Sequence, residues 1–194
     1  MFSEISLHIL DILQNCVRAE ATEISVSIVL PEKSDELSIE IHDNGNGMTK
    51  EQLSNCCSPF FTTKKRKCTG FGVSFFKYAA EITGGCFSID SVRFSGTAIK
   101  TVFIVTSPDC IPLGNIFSTV YSSVVSDPKI RFKWHIQIRE QYSDYDSLKF
   151  CEKSRKSPFL MPSEIYIEKK YLEKILKNIE IYETACADYA SCLK

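Results

Sequence analysis

The sequence lacks the long apolar run that a membrane-spanning helix requires. No hydrophobic stretch approaches the roughly 18 residues that are needed to cross a bilayer. The amino-terminal segment, MFSEISLHILDILQN, has no basic region before its apolar residues and is broken by acidic ones, which is unlike a secretory signal peptide. We therefore expect a cytoplasmic protein without a membrane partner.

An excess of charge of either sign is also absent. The 23 lysines and arginines nearly balance the 24 aspartates and glutamates, which leaves a net charge of −1 at pH 7. Such a balance produces no overall field toward nucleic acid or anionic lipid, so we expect no nucleic-acid partner. With 194 residues, of which 44% are hydrophobic, the chain can build the core of one domain with an appendage.

Several familiar spacings are missing. The nine cysteines include no CxxC pair, which favours free thiols in a reducing compartment. A redox or metal role for the adjacent Cys56 and Cys57 is the alternative, but no further cysteine or histidine pair lies at ligand spacing. The P-loop GxxxxGK[ST] is absent, and no GxGxxG motif occurs in a dinucleotide-binding unit, which argues against both of these nucleotide folds.

Hydrophobic periodicity in the first 107 residues predicts helices and strands in a mixed order. The predicted elements are a helix at 4–20, strands at 23–30 and 37–43, a short helix at 49–57, a loop at 58–72, a helix at 73–83, and strands at 86–94 and 97–106. This order predicts the α+β class, as a two-layer α/β sandwich with the helices on one face of one sheet.

A change of composition at 107–114 predicts a boundary between a domain at 1–107 and a small α/β extension at 108–194. Within the extension we expect a helix at 115–125, a strand at 130–138 that buries Trp134, and a partner strand at 145–150. A lysine- and glutamate-rich amphipathic helix is predicted at 164–190. It could form the surface for a protein partner or a second copy, or it could pack on its own hairpin.

Two polar residues of the first predicted helix, Asp11 and Asn15, are four positions apart and so share a helix face. A carboxylate and an amide in this arrangement could hold a cation and orient a water molecule. The alternative is an ordinary solvated polar stripe.

The segment HDNGNGM follows a predicted strand and places Asp43 at its end. Gly45 and Gly47 would let the backbone approach a ligand closely. A carboxylate accepts hydrogen bonds and donates none, so Asp43 could bind an exocyclic amine such as that of adenine. A simple glycine turn after a strand is the alternative.

Two further segments carry weaker signals. The basic run that contains Lys64 and Lys65 precedes the glycine-opened helix at Gly70 and Gly72, and a helix N-terminus beside cations could bind phosphate. The alternative is a solvated loop. Thr97, at the entrance of a strand, is the last candidate site residue. The alternative is that this segment forms only a plain hairpin turn.

The four segments occur in an order that resembles the GHKL superfamily of ATP-binding domains, which includes histidine kinases, gyrase, the Hsp90 chaperones and MutL proteins. The segment DILQNCVRA resembles the N-box, and DNGNGM resembles the G1 box. PFFTTK with TGFGVSFFKYAAEITGG resembles the F and G2 boxes, and GTAIKTVFIV resembles the last glycine box. The resemblance covers about residues 4–106 and implies a Bergerat-type ATP-binding fold.

The resemblance implies a role for each matching position. Asn15 would ligate Mg²⁺, Asp11 would polarise water or substrate, and Asp43 would hydrogen-bond adenine. The remaining positions of the implied ATP site are Gly45, Gly47, Met48, Lys64, Lys65, Thr69, Gly70, Phe71, Gly72, Val73 and Thr97. The family's glutamate is an aspartate at Asp11, which is one methylene shorter and makes its reach to an attacking water doubtful.

The chain begins at the N-box helix, without a preceding helix that carries a phospho-acceptor histidine, so we expect a small stand-alone ATPase rather than a complete sensor histidine kinase. We expect Mg²⁺-dependent ATP binding with slow hydrolysis or phosphotransfer. The alternatives are a nucleotide-gated protein-binding switch, in which ATP orders a lid at about 58–69, and a serine kinase of the anti-sigma type.

Overall fold

The computed structural model describes residues 2–57 and 71–148, and the following account is confined to them. These residues form four helices and six strands. In chain order they are α1 (Ile5–Arg18), β1 (Glu23–Leu30), β2 (Glu36–Asp43), α2 (Lys50–Asn55), α3 (Phe71–Glu81), β3 (Cys86–Val92), β4 (Gly96–Ile104), α4 (Ile116–Ser126), β5 (Arg131–Ile138) and β6 (Gln141–Asp146).

The strands form one sheet in the order β3-β4-β2-β1-β5-β6. Neighbouring strands run antiparallel except β1 and β5, which are parallel. Alternate residues of the strands point to one face of the sheet, where α1, α3 and α4 enclose the core. Trp134 lies in this core with 2% of its surface exposed. The α+β sandwich predicted from the sequence is confirmed.

The last described strand differs from its prediction. Residues 145–150 were expected to pair with β5, but the pairing strand is Gln141–Asp146 and so begins four residues earlier. A tight turn after Ile138 causes the shift, because Arg139 takes a positive φ of 58° and reverses the chain at once. The segment QYSDYD is too polar to show the alternation that identifies a strand.

The elements after residue 107 are continuous with those before it. The β5 strand extends the sheet beside β1, and α4 contributes Val120 and Val124 to the same core as α1. The Ile5 N–H donates to the carbonyl of Pro112 at 2.9 Å, which ties the start of α1 to the connection before α4. The division at residue 107 stays a prediction.

Across residues 2–57 and 71–148, none of the helices combines the length and apolar character that crossing a bilayer demands.

Candidate functional site

Helix α1 carries Asp11 and Asn15 to the first turn of α3. Gly72, the second residue of α3, lies so close that a methyl group at this position would collide with Asp11 Oδ2. The same methyl carbon would lie 3.6 Å from Asn15 Nδ2. The missing side chain at Gly72 therefore leaves space for the Asp11 carboxylate, with the Asn15 amide alongside. This space lies beside a helix N-terminus, where backbone N–H groups lack helical partners.

The amide of Asn15 is held by a neighbour on its own helix. Arg18 donates to Asn15 Oδ1 at 2.6 Å and to Gln14 Oε1 at 3.2 Å. Both hydrogen bonds are exposed to solvent. An oxygen that is needed as a metal ligand would have to exchange this hydrogen bond for the metal.

One turn before Asp11, α1 buries His8 against α3. The ring is 1% exposed, lies edge-on to Phe2 at 5.0 Å between centroids and stacks on Phe76 at 5.7 Å. Neither ring nitrogen has a hydrogen-bond partner among the described residues. Burial, helped by the positive charge of the amino terminus, lowers the pKa of His8 from 6.5 to about 4, so the ring is neutral at pH 7.

The second part of the site is the end of β2. Asp43 Oδ1 accepts a hydrogen bond from the Gly45 N–H at 2.8 Å. The thiol of Cys16 is 5% exposed. Burial and the nearby charge of Asp43 raise the pKa of this thiol. Asp43 itself is half-buried.

The loop after β2 is fastened to both of its neighbours. Asn44 Oδ1 accepts from the N–H groups of Thr22 and Glu23, each at 2.9 Å. On the other side, Asn46 O accepts from the Phe94 N–H at 2.7 Å. Gly47 has a φ of +58° and a side chain there would strike the carbonyl of Val92, so this turn requires glycine.

Thr97 stands opposite Asp43 in the pairing of β2 with β4. Its Oγ1 lies 2.9 Å from Ser91 Oγ. Ser91 Oγ also accepts from the Met48 N–H at 2.9 Å and donates to the Gly96 carbonyl at 3.0 Å. The serine thus joins the loop after β2 to the β3–β4 hairpin.

The structure brings the predicted site residues together in two groups, which meet at the end of α1. Asp11 and Asn15 lie at Gly72, and Ala19, the residue after α1, accepts a hydrogen bond from the Asn46 N–H in the loop after Asp43. Val73 is partly buried against the core. Phe71 begins α3. Of the remaining predicted residues, Lys64, Lys65, Thr69 and Gly70 lie outside the described residues.

Sequence reasoning missed two residues that contact the predicted site, Ser91 and Arg18. Ser91 lies in a strand of alternating polar residues and has no distinctive neighbours. Arg18 could have been found, because it follows Asn15 by three residues on the same helix face.

The adjacent pair Cys56 and Cys57 follows α2. The two Sγ atoms are 3.8 Å apart and both thiols are free. Burial, followed by the neighbouring Cys57 thiol, raises the pKa of Cys56 to about 12. Among the described residues no group of three or more histidine, cysteine, aspartate or glutamate side chains could hold a metal ion.

A family model described as histidine kinase-, DNA gyrase B- and HSP90-like ATPase matches residues 3–109. This is just over half of the 194 residues. The chain belongs to this family. Membership confirms the resemblance that the four motifs indicate, and it supports ATP binding in general.

Two curated relatives are bacterial kinases. The sensor histidine kinase ZraS of Salmonella typhimurium is 28% identical over 97 residues, which are 50% of this chain and 20% of that protein. Sporulation kinase A of Bacillus subtilis is 29% identical over 94 residues, which are 48% of this chain and 15% of that protein. The chain therefore matches only a small part of each kinase.

Solved structures share the fold at low sequence identity. The MutL ATPase domain of Aquifex aeolicus, complexed with ADP, superposes with a TM-score of 0.50 at 11% identity, covering 71% of this chain and 61% of that one. The N-terminal domain of a DNA repair protein gives a TM-score of 0.51 at 12% identity, covering 75% and 52%. At these identities the likeness concerns the fold alone.

Proposed function

We propose that the chain binds ATP with Mg²⁺ and turns it over slowly, by hydrolysis or phosphotransfer. The observation that carries this proposal is the position of α1 between the two groups of the site. Asp11 and Asn15 meet α3 at Gly72, while Ala19, the residue after α1, accepts a hydrogen bond at 2.7 Å from the N–H of Asn46 in the loop after Asp43. One helix would thus set the distance between two ends of the proposed site. We call them the base end, which contains Asp43 and Thr97, and the phosphate end, which contains Asp11, Asn15 and Gly72.

Asp43 would read the base. Its Oδ1 already accepts from Gly45, but a carboxylate has about four acceptor sites and no donor when ionised. It can therefore accept from the 6-amino group of adenine, whereas the 6-carbonyl group of guanine offers it no hydrogen. Met48 and Thr97, joined through Ser91, would support the same end.

The phosphate end fits a cation. The carboxylate of Asp11 lies at the first turn of α3, which is also where phosphate would bind. Two anionic groups at one place repel each other unless a cation lies between them. Asn15 Oδ1 is the kind of oxygen ligand that Mg²⁺ takes, and Mg²⁺ when bound would neutralise charge on the phosphate oxygens.

Asp11 would act as the base that orients an attacking water or a substrate hydroxyl. Its short side chain limits its reach, and misplacement of about 1 Å can cost about a hundredfold in rate. We therefore expect slow turnover, with residues 64 and 65 of the predicted basic lid assisting the phosphates.

A nucleotide-gated switch is the second candidate. The hydrogen bond from Arg18 to Asn15 supports it, because ligation by Asn15 would release Arg18 from the surface of α1. Nucleotide binding would then free the positive charge of Arg18 at the surface, in addition to ordering the predicted lid at about 58–69. The predicted helix at 164–190, outside the described residues, is the surface that we propose for a protein partner or a second copy.

Calorimetry of ATP binding with and without Mg²⁺, with GTP as the control, tests the proposal. We expect Mg²⁺-dependent binding of ATP and much weaker binding of GTP. Failure to bind ATP under either condition would refute the proposal.

Phosphate release by the wild type and by Asp11→Asn then separates turnover from switching, since the variant should bind ATP and lose turnover. Binding without turnover in the wild type would favour the switch.

A further inference from the structure

The hydroxyl group of Ser91 uses every hydrogen bond that it can make. A serine hydroxyl has one hydrogen to donate and two lone pairs that accept. Ser91 Oγ accepts from the Met48 N–H at 2.9 Å and donates to the Gly96 carbonyl at 3.0 Å. Its third partner is Thr97 Oγ1, at 2.9 Å. These three bonds leave the hydroxyl no capacity for a further partner.

The direction of the bond between Ser91 and Thr97 follows from this count. The Gly96 carbonyl can only accept, so the single hydrogen of Ser91 serves that oxygen. Thr97 must then supply the hydrogen that lies between the two hydroxyl groups. In the reverse direction Ser91 would have to give up its bond to Gly96. All three bonds form together only when Thr97 donates, and the Thr97 hydroxyl is then left with lone pairs but no free hydrogen.

Thr97 stands beside the residue that we propose to read the base. Asp43 and Thr97 are directly opposite in the antiparallel pairing of β2 with β4, and opposite residues place their side chains on the same face of a sheet, about 5 Å apart. An ionised carboxylate has no hydrogen either. The two side chains therefore form an edge that offers acceptors only, and a ligand atom that is itself an acceptor would stay unpaired there.

We propose that Ser91 is a positioning residue for purine selection: by accepting the Thr97 hydrogen it makes Thr97 and Asp43 an all-acceptor edge, which favours 6-aminopurine over 6-oxopurine nucleotides. The inference rests on the proposed function, because it requires that the base lies at Asp43. Ser91 itself does not touch the nucleotide. Its effect reaches the ligand through the orientation of the Thr97 hydroxyl.

The test compares ATP with inosine triphosphate, which carries a 6-carbonyl in place of the 6-amino group. In Ser91→Ala the Thr97 hydrogen becomes free to turn toward that carbonyl. Calorimetry should then show that the ratio of ATP affinity to inosine triphosphate affinity falls about three- to tenfold, the effect of one hydrogen bond. Lost support for the loop at Met48 would weaken both nucleotides alike and would not move this ratio.

Two further variants at β3 control for the substitution itself. Ser91→Thr keeps the hydroxyl group and should retain the wild-type ratio. Ser88→Ala removes an exposed hydroxyl from the same strand and should change neither affinity. A shift of the ratio in Ser91→Thr as large as that in Ser91→Ala would contradict the role of the hydroxyl.

A double-mutant cycle tests whether the effect passes through Thr97. Thr97→Val removes the hydrogen that Ser91 accepts. In this background Ser91→Ala should no longer change the ratio of the two affinities, because no hydrogen is released. A shift that persists without the Thr97 hydroxyl would overturn the inference.

The outcomes separate this inference from the proposed function. Wild type that binds neither nucleotide refutes the proposed function, and wild type that binds both equally overturns the base-reading role of Asp43; the inference fails with either. Wild type that prefers ATP, with the same preference in Ser91→Ala, overturns the inference alone. If Ser91→Ala does not fold by circular dichroism, Ser91→Cys decides, because a thiol is a weak acceptor for the Thr97 hydrogen and an unchanged ratio would again overturn the inference.

Discussion

The two ends of the candidate site are built differently. At the base end, Asp43 and Thr97 belong to paired strands, and Ser91 joins this pair to the following loop through hydrogen bonds of 2.9–3.0 Å. At the phosphate end, Asp11 and Asn15 project from a single helix, and the amide of Asn15 is held by an exposed arginine. The base end is tied into the sheet, whereas the phosphate end depends on side chains that solvent reaches.

This difference assigns separate tasks to the two ends. A group held by strands and backbone hydrogen bonds is pre-organised, so it can discriminate between bases with little rearrangement. A side chain that must exchange one partner for another before it binds can couple binding to a change of shape. We therefore expect selectivity to depend on the base end, and metal dependence and turnover to depend on the phosphate end.

The largest effect is expected from Asp43→Asn. The new amide places an N–H group where the adenine amine needs an acceptor, so ATP affinity should fall by about a hundredfold. Calorimetry measures the loss, and binding of inorganic phosphate should change little. Asp90→Asn, an exposed acid of the neighbouring β3 strand, controls for loss of charge. Equal ATP affinity in Asp43→Asn and wild type would remove the distinction between the two ends.

Acid should weaken the α1–α3 contact that supports the phosphate end. The fold lowers the pKa of His8 from 6.5 to about 4. Between these two pH values the unfolded chain binds a proton at His8 and the folded chain does not. Stability is therefore fully present above pH 6.5 and falls as the pH decreases toward 4, by about 2 kcal/mol, or about thirtyfold in the unfolding constant, at pH 5. Urea unfolding at pH 7 and pH 5 measures the loss.

His8→Phe should remove this part of the acid sensitivity while keeping an aromatic ring against Phe76. His42→Gln is the matched control, because His42 is a largely exposed histidine whose side chain is 55% accessible. If wild type and His8→Phe lose the same stability between pH 7 and pH 5, the buried ring is not the acid-sensitive group.

A smaller effect on binding is expected from Gly72→Ala. The added methyl group would collide with the Asp11 carboxylate and displace it from the first turn of α3, so ATP affinity should fall about tenfold. Selectivity for ATP over GTP should persist, because the base end is untouched. The double variant Gly72→Ala with Asp11→Ala removes the collision and should recover part of the affinity without turnover. No recovery in the double variant would contradict the steric explanation.

Sequence reasoning predicted the local elements of the fold well and the long-range ones poorly. The α1 helix and strands β1 and β2 lie within two residues of their predicted bounds, because apolar periodicity and polar turns identify them directly. The parallel pairing of β1 with β5 was not predicted, since it joins residues more than 100 positions apart. The start of β6 was wrong because its segment lacks alternation.

The same division applies to the candidate site. Asp11, Asn15 and Asp43 could be chosen from spacing and from the motifs, which are local in sequence. The hydrogen bond from the Asn46 N–H to the Ala19 carbonyl could not, because it depends on how the end of α1 packs beside the loop after β2.

The smallest effect concerns Arg18, and it tests how the phosphate end rearranges. Arg18 donates to Asn15 Oδ1 at 2.6 Å, so it competes with a metal for that oxygen. In Arg18→Ala the loss of a positive charge should weaken ATP binding without Mg²⁺. The gain in ATP affinity on adding Mg²⁺ should nevertheless grow about threefold, because the metal no longer competes with Arg18. The effect is small because exposed pairs of this kind contribute little. The ratio of ATP affinities with and without Mg²⁺ is the measured quantity.

Lys77→Ala is the matched control for that ratio, because it removes one positive charge from α3 at a residue paired with Glu81 at 3.8 Å. Its ratio should equal that of the wild type. If Arg18→Ala also leaves the ratio unchanged, Asn15 does not exchange partners on metal binding, and the contrast between a pre-organised base end and a rearranging phosphate end fails. A larger ratio in Arg18→Ala alone would place the rearrangement at one oxygen atom of α1.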